Sequence, residues 1–259
     1  MDLGIKGRRA IVCAGSRGLG RGCAVSLASN GVDLVINGRD TASLEETAQA
    51  IRAETGVAVQ TVAGDISEPS VQEALIHAVP EPDILVNNNG GPPRRDFREI
   101  DREAFLQGVV MNMATPVEMI GRVVDGMAER GFGRIVNITS VSVKMPVPGL
   151  DLSSGARAGL SAFLAGVLPA VAASNVTINH LLPGFFDTER LYDGIEKGAR
   201  AAGVSVDEFA ERQKESVPAK RFGNETEFGE ACAFLCSAQA GYITGQNLVI
   251  DGGRYPGVW

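Results

Sequence analysis

The sequence predicts an α/β fold in which helices cover both faces of a doubly wound parallel sheet of about seven strands. Short apolar runs alternate with helical stretches along the chain, and this alternation is typical of crossovers between parallel strands. The runs are rich in Val, Ile and Leu without a strict apolar-polar period, as expected of strands buried on both faces. The composition, 44% hydrophobic and 21% charged over 259 residues, is that of a globular chain with one large core.

The apolar runs predict the strands in chain order. The first run leads directly into a glycine-rich turn, which is typical of the opening strand of a nucleotide-binding fold. Several later runs end in asparagine, serine, threonine or a Pro-Gly pair, which places polar groups where parallel strands form ligand sites. The predicted strands are residues 8–14, 33–37, 58–62, 83–87, 134–139, 176–181 and 247–250.

The stretches between these runs predict the helices. They lie at residues 18–29, 41–54, 68–78, 102–130, 152–173 and 226–237. Residues 188–217 break the alternation, because this segment is polar, helical in composition and interrupted by glycines. We interpret it as a lid-like excursion over the active-site edge of a single domain that spans residues 1–259.

Charge and residue counts exclude several classes of function. The net charge of −7 argues against nucleic acid or an anionic membrane as the main partner, because both require a basic face. Two histidines and no CxxC pair leave little basis for a zinc site or a Ser-His-Asp triad, so no metal is expected. No uninterrupted apolar run reaches the ~20 residues of a membrane span, and residues 1–9 lack a signal-peptide core. We therefore expect a cytoplasmic protein.

A glycine-rich turn lies between the first strand and the first helix. Residues 14–20 read Ala-Gly-Ser-Arg-Gly-Leu-Gly, which we interpret as a GxxxGxG spacing rather than GxGxxG. Glycines let the backbone approach a pyrophosphate, and the N-terminus of the helix offers N–H groups and a positive dipole. The turn predicts a Rossmann-type phosphate site formed by Gly15, Ser16, Arg17, Gly18, Leu19 and Gly20.

Six further landmarks, in the same order along the chain, resemble the short-chain dehydrogenase/reductase family, in particular its 3-oxoacyl-carrier-protein reductase-like group. They are Asp65-Ile66, Asn87-Asn88-Asn89-Gly90, Asn112, Ser140, the loop Pro183-Gly184-Phe185-Phe186-Asp187-Thr188, and residues 242–246 with 251–253. The resemblance covers nearly the whole chain. It implies that Asp65 and Ile66 hold the adenine. It also implies that cofactor contacts come from Asn88, Gly90, Pro183, Gly184, Phe186 and Thr188.

The end of the second strand favours NADP(H) over NAD(H). NAD-binding folds carry an acidic residue there for the ribose 2′-hydroxyl, whereas this chain reads Asn37-Gly38-Arg39. Arg39 and Arg17 can grip a 2′-phosphate bidentately. The alternative is that both arginines are solvated and that Asp40 weakens the field.

The family's catalytic tyrosine and lysine are replaced by Ser153 and Arg157. In the family the tyrosine protonates the carbonyl oxygen, the lysine supports it and holds the nicotinamide ribose, the serine orients the carbonyl, and the asparagine anchors a relay water. Those last two positions are Ser140 and Asn112 here. A serine hydroxyl is shorter and far less acidic than a phenol, whose pKa is about 10, and arginine stays protonated. We expect Arg157 to keep the cofactor-holding role, and we do not expect Ser153 to replace the tyrosine.

Three groups are candidates for the missing proton donor. Lys144 lies four residues after Ser140, in the loop that leaves the fifth strand, and lysine can serve as an acid/base when its environment suits it. A water relayed through Asn112 is the second candidate, and Tyr192 on the lid-like segment is the third. For Lys144 the alternative is a solvated loop lysine. Loop residues 90–98 carry three arginines and suit a carboxylate or phosphopantetheine-like group, unless they form a solvated loop.

These observations predict an NADP(H)-dependent oxidoreductase that interconverts a carbonyl and an alcohol of a small-molecule substrate by hydride transfer. The alternative is a catalytically silent NADP(H)-binding protein that acts as a sensor or partner subunit. Related chemistry on the same scaffold, such as dehydration or epimerisation, is a third possibility without its own signal. The resemblance also implies a homo-oligomer, a tetramer or a dimer, formed through helices 102–130 and 152–173 and through the C-terminal strand and tail.

Overall fold

Seven parallel strands form one sheet in the computed structural model, which describes residues 2–257. The strands are β1 (Arg9–Val12), β2 (Asp33–Gly38), β3 (Val59–Ala63), β4 (Ile84–Asn87), β5 (Gly133–Ile138), β6 (Val176–Pro183) and β7 (Asn247–Ile250). Their order across the sheet is β3-β2-β1-β4-β5-β6-β7. The predicted fold class is confirmed, and each predicted strand has a counterpart in the sheet.

Helices cover both faces of this sheet. They are α1 (Gly18–Ser29), α2 (Thr41–Thr55), α3 (Pro69–Ala78), α4 (Arg102–Val109), α5 (Thr115–Glu129), α6 (Asp151–Val171), α7 (Glu189–Ala202), α8 (Val206–Glu215) and α9 (Glu225–Leu235). Residues of α1, α2 and α9 form one apolar core with the sheet, and residues of α3, α5 and α6 form the other. Because β1 pairs with both β2 and β4, the chain reverses direction across the sheet at β1, where such folds place their ligand crevice.

The predicted helix at residues 102–130 is two helices, and this part of the prediction was wrong. A π-helical turn at Val110–Ala114 separates α4 from α5. Thr115 donates its backbone N–H to the carbonyl of Val110, five residues back, and its hydroxyl reaches the same oxygen at 2.9 Å. Pro116, in the first turn of α5, has no N–H with which to continue the ordinary ladder. The widened turn carries Asn112, as π turns often carry functional residues.

The segment at residues 188–217 contains the two helices α7 and α8, joined through Gly203 with a φ of +68°. A small third core holds them, formed by Ile195, Ala210 and Phe222 with Phe185, Leu191 and Phe209 packed against it. The segment therefore packs as a unit at the carboxyl edge of β6. That it closes as a lid, and that residues 1–259 form a single domain, stay predictions.

Among residues 2–257, one helix is long and apolar enough, by length and composition alone, to cross a membrane. From the sequence alone we expected no apolar run of that length. The helix spans Asp151–Ser174 with a mean hydropathy of 1.5, and 22% of that window is buried. Arg157 on this helix is buried and donates to the Ile138 carbonyl of β5, so α6 belongs to the layer packed on the sheet.

Candidate active site

The turn after β1 is built by a close approach of backbone to backbone. A Cβ at Gly20 would lie 2.1 Å from the carbonyl oxygen of Ala14, so only glycine fits there. The GxxxGxG interpretation needs a correction, because counting back from Gly18 places Ala14, not a glycine, at the first position. Ala14 has a φ of +46°, a left-handed conformation that glycine adopts far more readily.

Helix α1 begins at this turn with free donors. Its N-cap residue, Arg17, has an extended backbone and makes no side-chain cap, so the N–H groups of the first turn are available to an anion. The guanidinium of Arg17 instead reaches across to Glu189 at the start of α7, 2.6 Å away. The tight turn, the uncapped helix and the crevice at β1 together fit the pyrophosphate of a dinucleotide. Gly15, Ser16, Gly18 and Leu19 contribute the rest of this turn.

The end of β2 carries one buried polar residue and two exposed charged ones. Asn37 is buried, and its amide donates to the carbonyl oxygens of Val62 and Gly64 at 3.0 Å each, so it braces neighbouring loops. Arg39 and Asp40 are exposed. Hydrogen bonds from Ser43 hold the pKa of Asp40 below its usual value, with a smaller contribution from Arg17. Arg39 is thus the side chain here that can meet a 2′-phosphate without giving up a hydrogen bond.

The loops after β3 and β4 form the adjoining wall. Asp65 accepts the backbone N–H of Ser67 at 2.8 Å, while Ile66 is buried. Asn88 donates to the Ala14 carbonyl at 3.3 Å and so ties the β4 loop to the predicted phosphate turn, residues 14–20. This connection brings Gly90 to the same crevice, where its carbonyl accepts a hydrogen bond from Asn112 at 3.0 Å.

Asn112, Ser153 and Arg157 form a continuous hydrogen-bonded row. The Ser153 hydroxyl donates to Asn112 Oδ1 at 2.8 Å and accepts from Arg157 Nε at 3.0 Å. Arg157 also donates to the carbonyls of Ile138 and Asn89, at 2.7 and 3.4 Å. All three residues are buried. The hydroxyl donor of Ser153 is therefore directed into the protein, and it does not point freely into the cleft.

Burial lowers the pKa of the Arg157 guanidinium to about 10, and the charge of Arg190 adds to this effect. Arg157 is still charged at neutral pH. Its hydrogen-bond partners, a hydroxyl and two carbonyls, are all neutral. A small, partly open cavity adjoins the row and is lined by Asn87, Asn89, Asn137 and others besides Asn112 and Arg157. Its polar lining suits an ordered water.

Ser140 and Lys144 lie on the loop that leaves β5. Ser140 follows the strand at its carboxyl end, and its hydroxyl accepts the N–H of Ser142 at 3.1 Å. A short 3-10 turn, Val141–Val143, separates it from Lys144. Lys144 is half-buried, with Nζ 5.8 Å from the ring centroid of Tyr255 in the C-terminal tail. The loop thus brings both side chains to the edge of the sheet next to Ile138, which contacts Arg157.

The loop after β6 closes the crevice on the other side. A Cβ at Gly184 would lie 2.5 Å from Asp251 Cβ, so this loop passes tightly over the residues that follow β7. Phe186 is buried edge-to-face against Phe228, with centroids 5.2 Å apart, which fixes the loop that starts at Pro183. Thr188 ends it by capping α7, where its hydroxyl accepts the N–H of Leu191 at 3.3 Å.

Tyr192, the third proton-donor candidate, lies one turn into α7 and is partly exposed. Desolvation raises its pKa, and the neighbouring Asp187 raises it further. A raised pKa makes this phenol a weaker acid than an ordinary tyrosine. The structure therefore gives Tyr192 no acidic advantage.

Arg190 is a site residue that the sequence analysis missed. Its Nη2 atom lies 2.8 Å from the point where a Cβ on Gly91 would be, and the Ser153 hydroxyl lies 3.4 Å from that same point. Arg190 thus lies near Ser153, the residue predicted to stand at the position of the family's tyrosine. No local signal marks it, because it follows a helix cap in a polar segment with several other charged residues.

Burial of the charge within the cleft lowers the pKa of Arg190. Arg94 acts in the same direction and Asp193 opposes it. The side chain is nevertheless accessible to solvent. The lowered pKa and the solvent access are compatible for a side chain that protrudes into a concave cleft, where protein surrounds it and water still reaches it.

No cluster of three or more His, Cys, Asp or Glu side chains within residues 2–257 is arranged to hold a metal ion. The four cysteines are buried free thiols. Burial raises the pKa of Cys13 to about 12, and a hydrogen bond from the Asn88 backbone offsets part of that. Hydrogen bonding with a neighbouring thiol, and burial with it, also raise the pKa of Cys232 and Cys236. The buried cysteines act as small apolar side chains.

Comparisons with known proteins agree with this geometry. The sequence profile of the family described as enoyl-(acyl carrier protein) reductase matches residues 13–254. The NADPH-dependent reductase BacG of Bacillus subtilis is 30% identical over 251 residues, or 95% of this chain and 97% of that protein. The 3-oxoacyl-(acyl-carrier-protein) reductase FabG of Vibrio cholerae is 31% identical over 257 residues, or 98% of this chain and 99% of that one. The crystal structure of L-sorbose reductase from Gluconobacter frateurii, complexed with NADPH and L-sorbose, has a TM-score of 0.94 at 27% identity, with 100% of both chains covered.

Proposed function

This chain belongs to the short-chain dehydrogenase/reductase family, and we propose that it is an NADP(H)-dependent oxidoreductase that interconverts a carbonyl and an alcohol of a small molecule. The observation that carries the proposal is the close contact of Gly20 with the Ala14 carbonyl beside the uncapped start of α1. This cradle adjoins the row of Asn112, Ser153 and Arg157 through the Asn88 hydrogen bond. Two relatives named above are described as NADPH-dependent or NADPH-bound, which supports NADP(H) over NAD(H).

The cofactor, when bound, supplies or accepts the hydride. The turn at residues 14–20 holds its pyrophosphate through backbone N–H groups, and Arg39 meets the 2′-phosphate, joined by Arg17 when Glu189 releases it. Asp65 and Ile66 line the adenine end. Pro183, Gly184, Phe186 and Thr188 shape the wall at the nicotinamide end, opposite Asn88 and Gly90.

The proposed roles at the substrate end of the crevice follow from the charge and the remaining hydrogen-bonding capacity of each side chain. Arg157 is charged and buried beside the crevice, so it holds the cofactor ribose and places positive charge where the carbonyl oxygen becomes negative. Ser140 orients that oxygen. Lys144, whose ammonium group has no hydrogen bond or salt bridge within residues 2–257, delivers the proton. A water in the polar cavity beneath Asn112 is the alternative route.

One observation favours the second candidate, a catalytically silent NADP(H)-binding protein. The Ser153 hydroxyl already donates to Asn112 and accepts from Arg157, so the position of the family's tyrosine offers no free acid. A protein that only binds the cofactor, as a sensor or partner subunit, needs none.

The deciding experiment follows NADPH oxidation by the purified protein over ketoacyl thioesters, quinones, diketones, aldehydes and keto-sugars, with NADPH binding measured on the same sample. Turnover of any member supports the oxidoreductase. Tight NADPH binding without turnover across the panel supports the silent protein.

The role of Lys144 is tested separately with Lys144→Ala. We expect kcat to fall by roughly 100-fold or more, as for loss of a general acid, with the Kd for NADPH unchanged. Lys197→Ala, at an exposed lysine of α7, is the matched control and should leave both values as they are. An unchanged kcat in Lys144→Ala with intact NADPH binding would remove Lys144 from the mechanism.

A further inference from the structure

We propose that Arg190, supported by the nearby positive charge of Arg157, forms an oxyanion-binding site at the substrate end of the cleft, so that the substrate carries a carboxylate or phosphate besides its carbonyl group. The inference rests on the proposed function and adds the substrate class of that same site. It is carried by the positions of the two guanidinium groups and by the absence of a counter-ion for either of them.

Arg190 points to the reacting position and away from the cofactor phosphates. Its Nη2 atom lies 2.8 Å from the position that a Cβ on Gly91 would occupy, and the Ser153 hydroxyl lies 3.4 Å from the same position. The preceding residue, Glu189, turns the other way and binds Arg17 of the phosphate turn at 2.6 Å. The first turn of α7 therefore separates the two ends of the crevice, and Arg190 belongs to the substrate end.

Neither arginine is neutralised by the protein. Within residues 2–257, Arg157 and Arg190 form no salt bridge, and Arg190 also makes no side-chain hydrogen bond. Arg94 lowers the pKa of Arg190 and Asp193 raises it, while the charge of Arg190 lowers the pKa of Arg157. The positive charges of these three arginines therefore act on one another in this region, and Asp193 opposes them. Arg157 is buried, and a buried charge without an ionic partner is costly. A ligand anion held by the solvent-accessible Arg190 would supply a negative charge near it.

The surrounding loop adds to the positive field. Arg94 lies on the loop at residues 90–98, whose Arg95 N–H donates to the Gly149 carbonyl at 3.2 Å, so the loop is held against the start of α6. The protein as a whole has a net charge of −7. A basic cleft in an acidic molecule concentrates anions at that cleft, and arginine pairs with carboxylate and phosphate in a bidentate geometry.

The test measures binding independently of turnover, in protein saturated with NADP+. Calorimetric titration uses matched pairs of probes: 2-oxobutanoate, 3-oxobutanoate and 4-oxopentanoate, each against its neutral amide, and dihydroxyacetone phosphate against dihydroxyacetone. We expect at least one anionic member to bind at least tenfold more tightly than its neutral partner. The pair that shows the preference distinguishes a carboxylate from a phosphate and gives its distance from the carbonyl.

Substitution of Arg190 locates the effect. In Arg190→Gln the anionic probe should lose at least tenfold in affinity, while the neutral partner and NADP+ bind as before. In Arg190→Lys the affinity for the anionic probe should lie between those of the wild type and Arg190→Gln. Arg200→Gln, an exposed arginine of the same helix, is the matched control and should behave as wild type.

Three results would overturn the assignment: no preference for an anion in any pair, an equal loss for both members of a pair in Arg190→Gln, or a parallel loss of NADP+ affinity that makes Arg190 a cofactor ligand. An anion preference without turnover of any carbonyl would leave the binding site standing and refute the oxidoreductase. Turnover of neutral carbonyls without any anion preference would support the oxidoreductase and overturn the anion-binding site.

Discussion

At residue 14 an alanine occupies a backbone conformation that ordinarily belongs to glycine. Its φ of +46° brings Cβ close to the following carbonyl, which costs about 1–2 kcal/mol for an L-residue. The position is held from both sides, because Asn88 donates to its carbonyl at 3.3 Å and Asn37 accepts its N–H at 3.4 Å. The phosphate turn is thus built at the expense of local backbone strain.

Ala14→Gly should relieve this strain. We expect the free energy of unfolding to rise by up to about 1 kcal/mol, since the greater chain entropy of glycine offsets part of the gain. Urea unfolding checks the change. Ala10→Gly in the buried strand β1 is the control and should lower the free energy of unfolding. A loss of stability in Ala14→Gly would contradict the strain argument.

His180 makes stability depend on pH. It is buried on β6, its Nδ1 has no hydrogen-bond partner among the described residues, and burial lowers its pKa from 6.5 to about 4. Because the unfolded chain binds the proton more readily, the contribution of neutral His180 is complete above about pH 6.5 and is lost as pH falls toward 4. The loss amounts to roughly 3 kcal/mol by linkage.

The check is urea unfolding of wild type and His180→Leu at several values between pH 7 and pH 4. The free energy of unfolding of the wild type should fall more steeply with decreasing pH than that of the variant. Parallel curves over this range would show that His180 is not responsible.

At the scale of single elements, α1 and α9 meet through two glycines. A Cβ on Gly22 would lie 2.2 Å from the Glu225 carbonyl oxygen, and one on Gly229 would lie 2.1 Å from the Gly22 carbonyl oxygen. The N-cap of α1 is Arg17, in the glycine-rich turn, and the N-cap of α9 is Asn224. The close packing of α9 therefore helps to fix the helix that begins at the phosphate turn.

Gly229→Ala should force these helices apart. We expect a loss of roughly 1–3 kcal/mol in the free energy of unfolding, as for other overpacked interiors, together with weaker NADPH binding because α1 shifts. Denaturant unfolding and a binding titration measure the two effects. Gly121→Ala on α5, where a Cβ meets no atom within 4 Å, should instead be neutral or stabilising by up to about 1 kcal/mol. Equal effects of the two substitutions would refute the packing argument.

At the scale of the whole molecule, the apolar surface of α4, the π turn and α6 calls for a partner. Phe105, Leu106, Val110 and Phe163 are 54%, 50%, 42% and 49% exposed. Helices α4 and α6 are neighbours, since a Cβ on Gly108 would lie 3.3 Å from Leu152 Cβ. Exposed apolar area of this kind marks a protein-contacting surface, and a second copy of the chain is the partner that the family resemblance implies.

We therefore expect the wild-type protein to sediment as a dimer or tetramer, and Phe163→Glu to shift it toward the monomer, because a charge cannot be buried unpaired at an interface. Sedimentation velocity measures the distribution. Val206→Glu, at an exposed position of α8, is the control and should keep the wild-type assembly. A monomeric wild type would contradict this prediction.

The sequence alone determined the fold class, and it predicted the position of the phosphate turn and the presence of Ser153 and Arg157 where the family carries its tyrosine and lysine. These features are local: they depend on apolar periodicity, on the glycines of one turn, and on counting along one helix. Tertiary structure alone decided that Ser153 is engaged by Asn112 from a π turn and that Arg17 is bound to Glu189. It also decided that Arg190 faces Gly91. These contacts join segments that are far apart in the chain, and they depend on crossovers and helix packing that no local sequence pattern specifies.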